Sequence, residues 1–485
     1  MSERAPRLRA PSELTGHSAH ILFESLVTIL AVGCAAGIWR VAAVLFLHVP
    51  LDPNEGWNAY HTAAAMAGHG PYPAATGFMT NNYPPLSFYL VGILGIVTGD
   101  GIVAGRIVSL ISFLAVAGGI ALLARRFGYG RLEALFASLL FAGFLLLNSD
   151  YVGMDDPQLL GHALQICALL LLISGPVSSS RELASAALFV AALFVKHNLV
   201  ALPLACIIWL LLDDRRRALR FTAFMLGFCL TGVAASRLAF GVDLFSRLHA
   251  PRSYSFSLLA TNFHDWLIPA AIALAATLAA ATTRERFAVF CAVYALSGVA
   301  IGGMFLGGAG VDVNAMFDAD IAIALGAGIA VYHAKSLSGT TAFAEPVLAA
   351  ALLVPLVTGL SSAFDPDWLE QNFWLHPMRD EASIAGSDIA YLRAHQGPVV
   401  CEMLSLCYWA GKPAEVDVFN LDQQFDMGSR DEGPFITLLD AHAFAVLQLD
   451  SLAPIPFPPR VQAAVRRNYR LDRQNDDGAF LVPRL

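Results

Sequence analysis

Long apolar runs constrain this chain more than any other feature. A stretch of about 20 apolar residues can cross a bilayer as a helix, which satisfies its own backbone where no water is present. Eleven stretches read as candidate spans, roughly 21–48, 104–123, 132–148, 158–174, 182–195, 198–213, 219–238, 266–282, 286–305, 319–334 and 341–361. With 56% hydrophobic and 14% charged residues, the chain is far more apolar than a soluble domain. The predicted fold class is mainly α, a polytopic membrane helix bundle of about eleven spans.

Charge divides the chain in two. The formal net charge is −8. From Ser362 onward there are 18 acidic and 10 basic residues, and the part before it holds 20 of each. The predicted domains are therefore a transmembrane part, 1–361, and a soluble acidic part, 362–485. No basic face suits nucleic acid. Arg4, Arg7 and Arg9 precede a hydrophobic run too long for a signal core, so a retained first span is expected.

The apolar segment 86–98 sets the topology. Its 13 residues would reach only about 20 Å as a helix, short of a core about 30 Å thick. It is expected to lie along the interface, leaving 50–103 as one long first loop. The basic loops with Arg125/Arg126/Arg131, Arg181, Arg215–Arg217/Arg220, Arg284/Arg286 and Lys335 then share one side with the N-terminus. The positive-inside rule makes that side cytoplasmic. The loops with Asp52 and Glu55, 148–157, 196–198, 241–266 and 307–320 fall outside, as does the tail. A bacterial plasma membrane is the expected location.

In the tail, Gly397–Trp409, Phe444–Leu449 and Phe480–Val482 read as strands and Asp380–His395 as a helix, which suggests a small extracytoplasmic α/β domain. Cys34, Cys167, Cys206, Cys229 and Cys291 sit in apolar runs and read as small core residues. Cys401 and Cys407 share the tail, where an oxidising compartment would allow a disulfide.

Polar residues at membrane edges are costly to bury, and they mark candidate sites. Asp52 and Glu55 lie three apart, so one helical turn would aim both at one cavity. Either can serve as a general base; the pattern also reads as a helix cap with Pro53. Asp155 and Asp156 could position a substrate, hold a metal, or cap a helix starting at Pro157. Lys196-His197-Asn198 interrupts two apolar halves. A lysine there needs a partner such as phosphate, or snorkels. Arg237, Arg247, His249 and Arg252 form a basic patch on the outer side, against the trend, which invites an anion. Arg40, inside the first run, either joins it or snorkels. Asn314, in the glycine-rich segment 307–320, is a contact candidate. No motif fixes a cofactor, and a divalent metal stays open.

Together these residues resemble the polytopic GT-C type glycosyltransferases that use polyprenyl-phosphate sugars. They are similar to glycosyltransferase family 39, which includes protein O-mannosyltransferases and lipid A aminoarabinose transferases. Four features carry the resemblance: the acids after the first span (Asp52, Glu55), the helix start Tyr83-Pro84-Pro85-Leu86, the second-loop acid (Asp155 or Asp156), and the later Lys196. Arg106 also fits. The similarity is clear over about 45–210. The chain departs from the pattern at Asn54, where the family has an aspartate.

The resemblance implies an inverting transfer of a monosaccharide from a polyprenyl-phosphate donor to an extracytoplasmic acceptor: a cell-envelope glycan, lipid or protein. Asp52 or Glu55 would be catalytic. Asp155, Asp156, Tyr83, His197 and Asn314 would position the substrates. Lys196, Arg40, Arg247 and Arg252 would bind the lipid phosphate. Tyr408 and Trp409 would stack on sugar or pack in the tail's core. The alternatives are a transporter or flippase of a lipid-linked or anionic solute, and a relative that binds lipid-linked sugar without transferring it.

Overall fold

The computed structural model describes residues 11–74, 76–146, 149–173, 175–241, 244, 248, 252–336, 343–359 and 375–484. The bundle opens with α1 (Pro11–Val44), α2 (Pro53–Met66), α3 (Leu86–Thr98), α4 (Gly101–Arg126) and α5 (Arg131–Leu146). It continues with α6 (Ser149–Gly153), α7 (Gln158–Ile173), α8 (Ser179–Val195), α9 (Ala201–Asp213) and α10 (Arg215–Phe240). The helices Phe256–Ala281, Arg286–Phe305, Phe317–Ser336 and Ala344–Gly359 complete it. Each of the eleven apolar stretches falls on a helix, and six helices are long and apolar enough to cross a membrane. This is an integral membrane protein.

Several expected boundaries move, and α1 starts at Pro11 rather than 21. α1 ends at Val44 rather than 48, because the next carbonyls are taken by a buried arginine described below. The helix expected from 266 starts at Phe256, where Ser255 caps it by accepting from Leu258 N–H. Segment 86–98 forms a 13-residue helix as read, but so does the expected span Ala201–Asp213. Length alone therefore does not separate them; the grouping of charged loops does.

Phe317–Ser336 is the most enclosed of the six long apolar helices. Its sequence IAIALGAGIA lets neighbours approach through small residues. A Cβ at Gly326 would lie 2.2 Å from Thr277, and one at Gly328 2.6 Å from Ala137.

The loops sort to two ends. At one end Tyr129 bonds Glu285, Lys335 pairs with Glu133, Arg217 and Arg220 share Glu182, and Arg286 pairs with Asp213. At the other lie the first loop, residues 154–156, Lys196 and the segments 252–255 and 306–314, together with the tail. α4 runs from one end to the other, with Asp100 and Arg106 at the tail's end and Arg125 at the basic end.

The tail carries a four-stranded sheet, β1 (Val399–Cys401), β2 (Val446–Leu449), β3 (Tyr469–Asn475) and β4 (Gly478–Pro483), in the order β1-β2-β4-β3. β1 and β2 are parallel and the other pairs antiparallel. Helix Leu375–Ala394 matches the predicted one. The strand expected over Gly397–Trp409 stops at Cys401, and Leu404–Trp409 is helical. This short helix packs on α2 instead of extending the sheet. Cys401, the last residue of β1, and Cys407, within this helix, form a disulfide. β3 was not foreseen: it is an edge strand whose polar face is open to solvent. The expected domain boundary at 361/362 lies outside the described residues.

Candidate functional site

Asp52 caps α2. Its carboxylate accepts from Asn54 N–H at 2.7 Å, and Pro53 occupies the first helical position. Burial pushes the Asp52 carboxyl up to about 6; the Asn54 hydrogen bond opposes the rise, and the charges of Asp156 and Glu55 add to it. A carboxylate poised near 6 suits proton removal at neutral pH.

Glu55, one turn on, is differently occupied. It and Arg106 are both fully buried, joined by two hydrogen bonds of 2.6 and 2.7 Å. Glu55 also accepts from Asp155 N–H at 3.2 Å and Leu51 N–H at 3.3 Å. Arg106 donates further to the carbonyls of Val44, Leu47 and Val49. The pair therefore fixes the chain that leaves α1 and carries Asp52. Both Glu55 oxygens are thus engaged by the guanidinium.

The two neighbouring acids face different ways. Asp155 packs against Gly105, where a Cβ would come within 1.9 Å of its Oδ1. Its Oδ2 has no hydrogen-bond partner. Burial, with Glu55 and Asp156 close by, holds its carboxyl well above the usual range. Asp156 caps α7 by accepting from Gln158 N–H at 2.7 Å, and its two oxygens each lie 3.2 Å from Lys196 Nζ. Lys196, buried at the C-terminus of α8, also lies 5.0 Å from the centre of the Tyr83 ring. Among the described residues no three His, Cys, Asp or Glu side chains converge as metal ligands.

A cavity of about 480 Å³ opens beside this network. Asn82, Tyr83, Lys196, His197, Arg252 and Asn314 line its polar part, and Leu248, Met304, Phe305 and Val311 its apolar part. Met304 and Phe305 are exposed, so the apolar part opens outward from the bundle. Arg252 donates to Ala309 O through Nη1 and lies over Phe419 of the tail, while its buried Nε has no acceptor among the described residues. The cavity thus joins cationic donors to an apolar slot. It collects Tyr83, the neighbours Lys196 and His197, Arg252 and Asn314 from four separate parts of the sequence. Arg40 is half-buried on α1 and does not line it. Arg247 and His249 lie outside the described residues.

The tail clamps the first loop, a role that sequence reading missed. Trp57 Nε1 donates to Asp417 Oδ2 and Thr80 O, both at 2.9 Å. Tyr60 bonds Lys412 O, and Gln424 bonds Thr80. Gln423 accepts from Ser253 at the cavity's edge. Tyr408 and Trp409 are engaged in docking: Tyr408 OH accepts from Gly101 N–H, and Trp409 stacks on His48 and donates to Asp100. Asn58, whose amide donates to Asp155 O, was also missed. No local motif announces such contacts.

Residues 82–240 match a family model described as dolichyl-phosphate-mannose-protein mannosyltransferase. The match holds Tyr83, Arg106, Asp155, Asp156 and Lys196 and leaves out Asp52. The fold is similar to that of ArnT from Cupriavidus metallidurans in the apo state, with TM-score 0.61 and 16% identity over 95% of this chain and 97% of that one. The same ArnT bound to undecaprenyl phosphate gives TM-score 0.60 at the same identity and coverage. No curated protein sequence matches the chain. The resemblance to the GT-C glycosyltransferases thus extends from the motifs to a family model and to the fold.

Proposed function

We propose that the chain transfers a monosaccharide from a polyprenyl-phosphate donor to an acceptor on the extracytoplasmic side. The observation that carries this reading is the Lys196–Arg252 cavity, cationic in one part and apolar in the other, linked through Lys196 and Asp156 to a carboxylate raised to about 6. A lipid phosphate fits both parts, and undecaprenyl phosphate is what the similar ArnT structure holds. In the reaction the acceptor oxygen forms a bond to the anomeric carbon as the bond from that carbon to the phosphate oxygen breaks. Asp52 takes the acceptor proton. Lys196 and Arg252 stabilise the charge that grows on the leaving lipid phosphate. Tyr83 and Asn314 position the donor, with His197 at the cavity wall. Asp156 keeps Lys196 in place, and Glu55 with Arg106 holds the Asp52 segment.

The test is an in vitro transfer assay on purified protein with radiolabelled polyprenyl-phosphate sugars and a cell-envelope extract. Label should move to an acceptor with wild type and stay on the lipid with Asp52→Asn. Asn54, where family 39 has an aspartate, favours a second reading, a binder of lipid-linked sugar without transfer. Donor binding with no transfer from any sugar by wild type would establish that second reading instead.

A further inference from the structure

A second cavity, of about 230 Å³, shares a wall with the first. Phe305, Val311 and Asn314 face the Lys196–Arg252 cavity, whereas Leu306, Asp312 and Val313 face this one. The linings differ in sign. Among the described residues no Lys, Arg or His lines the second cavity, and Asp265, Asp312 and Asp320 do.

Its hydrogen-bonding groups are nearly all acceptors. Asp320 is 5% exposed; its Oδ1 takes Trp266 Nε1 at 2.9 Å, which uses the indole's donor. Its Oδ2 has neither a donor nor a cation among the described residues. Asn262 gives its amide N–H to Leu306 O, so its carbonyl oxygen is left to accept. Asp312 accepts from Tyr151 OH at 3.1 Å. Asp265 is exposed at 3.2 Å from His264. A buried carboxylate with a free oxygen calls for a charged donor. An anion is repelled, and no set of three metal ligands converges among the described residues. A primary ammonium brings three donors and the complementary charge.

We infer that this cavity is a subsite for a protonated primary amine on the acceptor. The assignment to the acceptor rests on the proposed transfer; the amine preference does not. Tyr151 links the two regions, since it bonds Asp312 and stands within electrostatic reach of Asp52 and Asp156. Tyr151 thus connects an acceptor held by its amine here to the region of the carboxylate that takes its proton.

The experiment is a ligand-observed NMR titration of the full chain in nanodiscs with glucosamine, N-acetylglucosamine and ethanolamine. Glucosamine should bind at least about tenfold more tightly than N-acetylglucosamine, and Asp320→Asn should remove that preference. Equal binding of the two sugars, or a preference that survives Asp320→Asn, overturns the inference. If Asp320→Asn does not fold, Asp312→Asn and Asp265→Asn carry the same comparison. Glucosamine binding above ethanolamine assigns the amine to a sugar; equal binding assigns it to a lipid headgroup. Undecaprenyl phosphate binding is measured in parallel. Its loss with the amine preference intact would defeat the transferase reading and leave the amine subsite standing.

Discussion

At the scale of single residues, Asp52 and Glu55 divide the work that their spacing suggests they share. Asp52→Asn keeps the helix cap, since asparagine caps as well as aspartate, but removes the base. Transfer should vanish while the thermal unfolding midpoint and lipid-phosphate binding stay near wild type. Glu55→Gln should instead cost about 3–5 kcal/mol, because it leaves Arg106 charged and buried without its partner. A denaturation midpoint near wild type for Glu55→Gln would sink the positioning role. The pH profile separates the two further. Asp52 works ionised, so turnover should rise with pH through about 6 and level off above it. A profile flat from 5 to 8, with transfer still dependent on Asp52, would show that its proton loss is not what limits the reaction. These residues were legible in sequence as acids at a membrane edge. Which one is free was not, since that depends on Arg106, fifty-one positions away and buried only in the folded bundle.

At the scale of elements, two glycines show how closely the site is packed. A Cβ at Gly56 of α2 would lie 2.2 Å from the backbone of Leu404 and Ser405 in the tail. Backbone cannot yield as a side-chain tip can, so Gly56→Ala should weaken docking by about 1–3 kcal/mol. Limited proteolysis should then cut the tail faster while the bundle stays intact. An unchanged cleavage rate would mean that α2 and Leu404–Trp409 separate freely. Gly105→Ala meets the Asp155 carboxyl instead, and should lower transfer by shifting the loop that carries Asp156 to Lys196. The apolar runs placed the helices of the bundle, with some ends off by about ten residues, because 20-residue hydropathy is a local property. The Leu404–Trp409 helix and strand β3 were missed for the converse reason. Leu404–Trp409 is as apolar as the strand it was read into, and its conformation follows from the partner it packs on. β3 is polar because it is an edge.

At the scale of the whole molecule, the two classes of loop separate to opposite ends of the bundle, as their charges predict. Glu133, Glu182, Asp213 and Glu285 gather around Lys335, Arg217, Arg220, Arg286 and Tyr129 at one end. The tail, the first loop and both cavities occupy the other. We place the basic end in the cytoplasm, because basic loops resist translocation. The outward-facing donor reading depends on that choice. In a cysteine-depleted background, Ser429→Cys on the exposed surface of the tail should react with a membrane-impermeant maleimide on intact cells. Thr282→Cys, exposed in the loop before Arg286, should react only after permeabilisation. The reverse pattern would put the site in the cytoplasm, where soluble activated sugars are available, and would remove the reason for a lipid-borne donor. The tail's disulfide agrees with the outward placement, since such bonds persist in oxidising compartments and are rare in the cytosol.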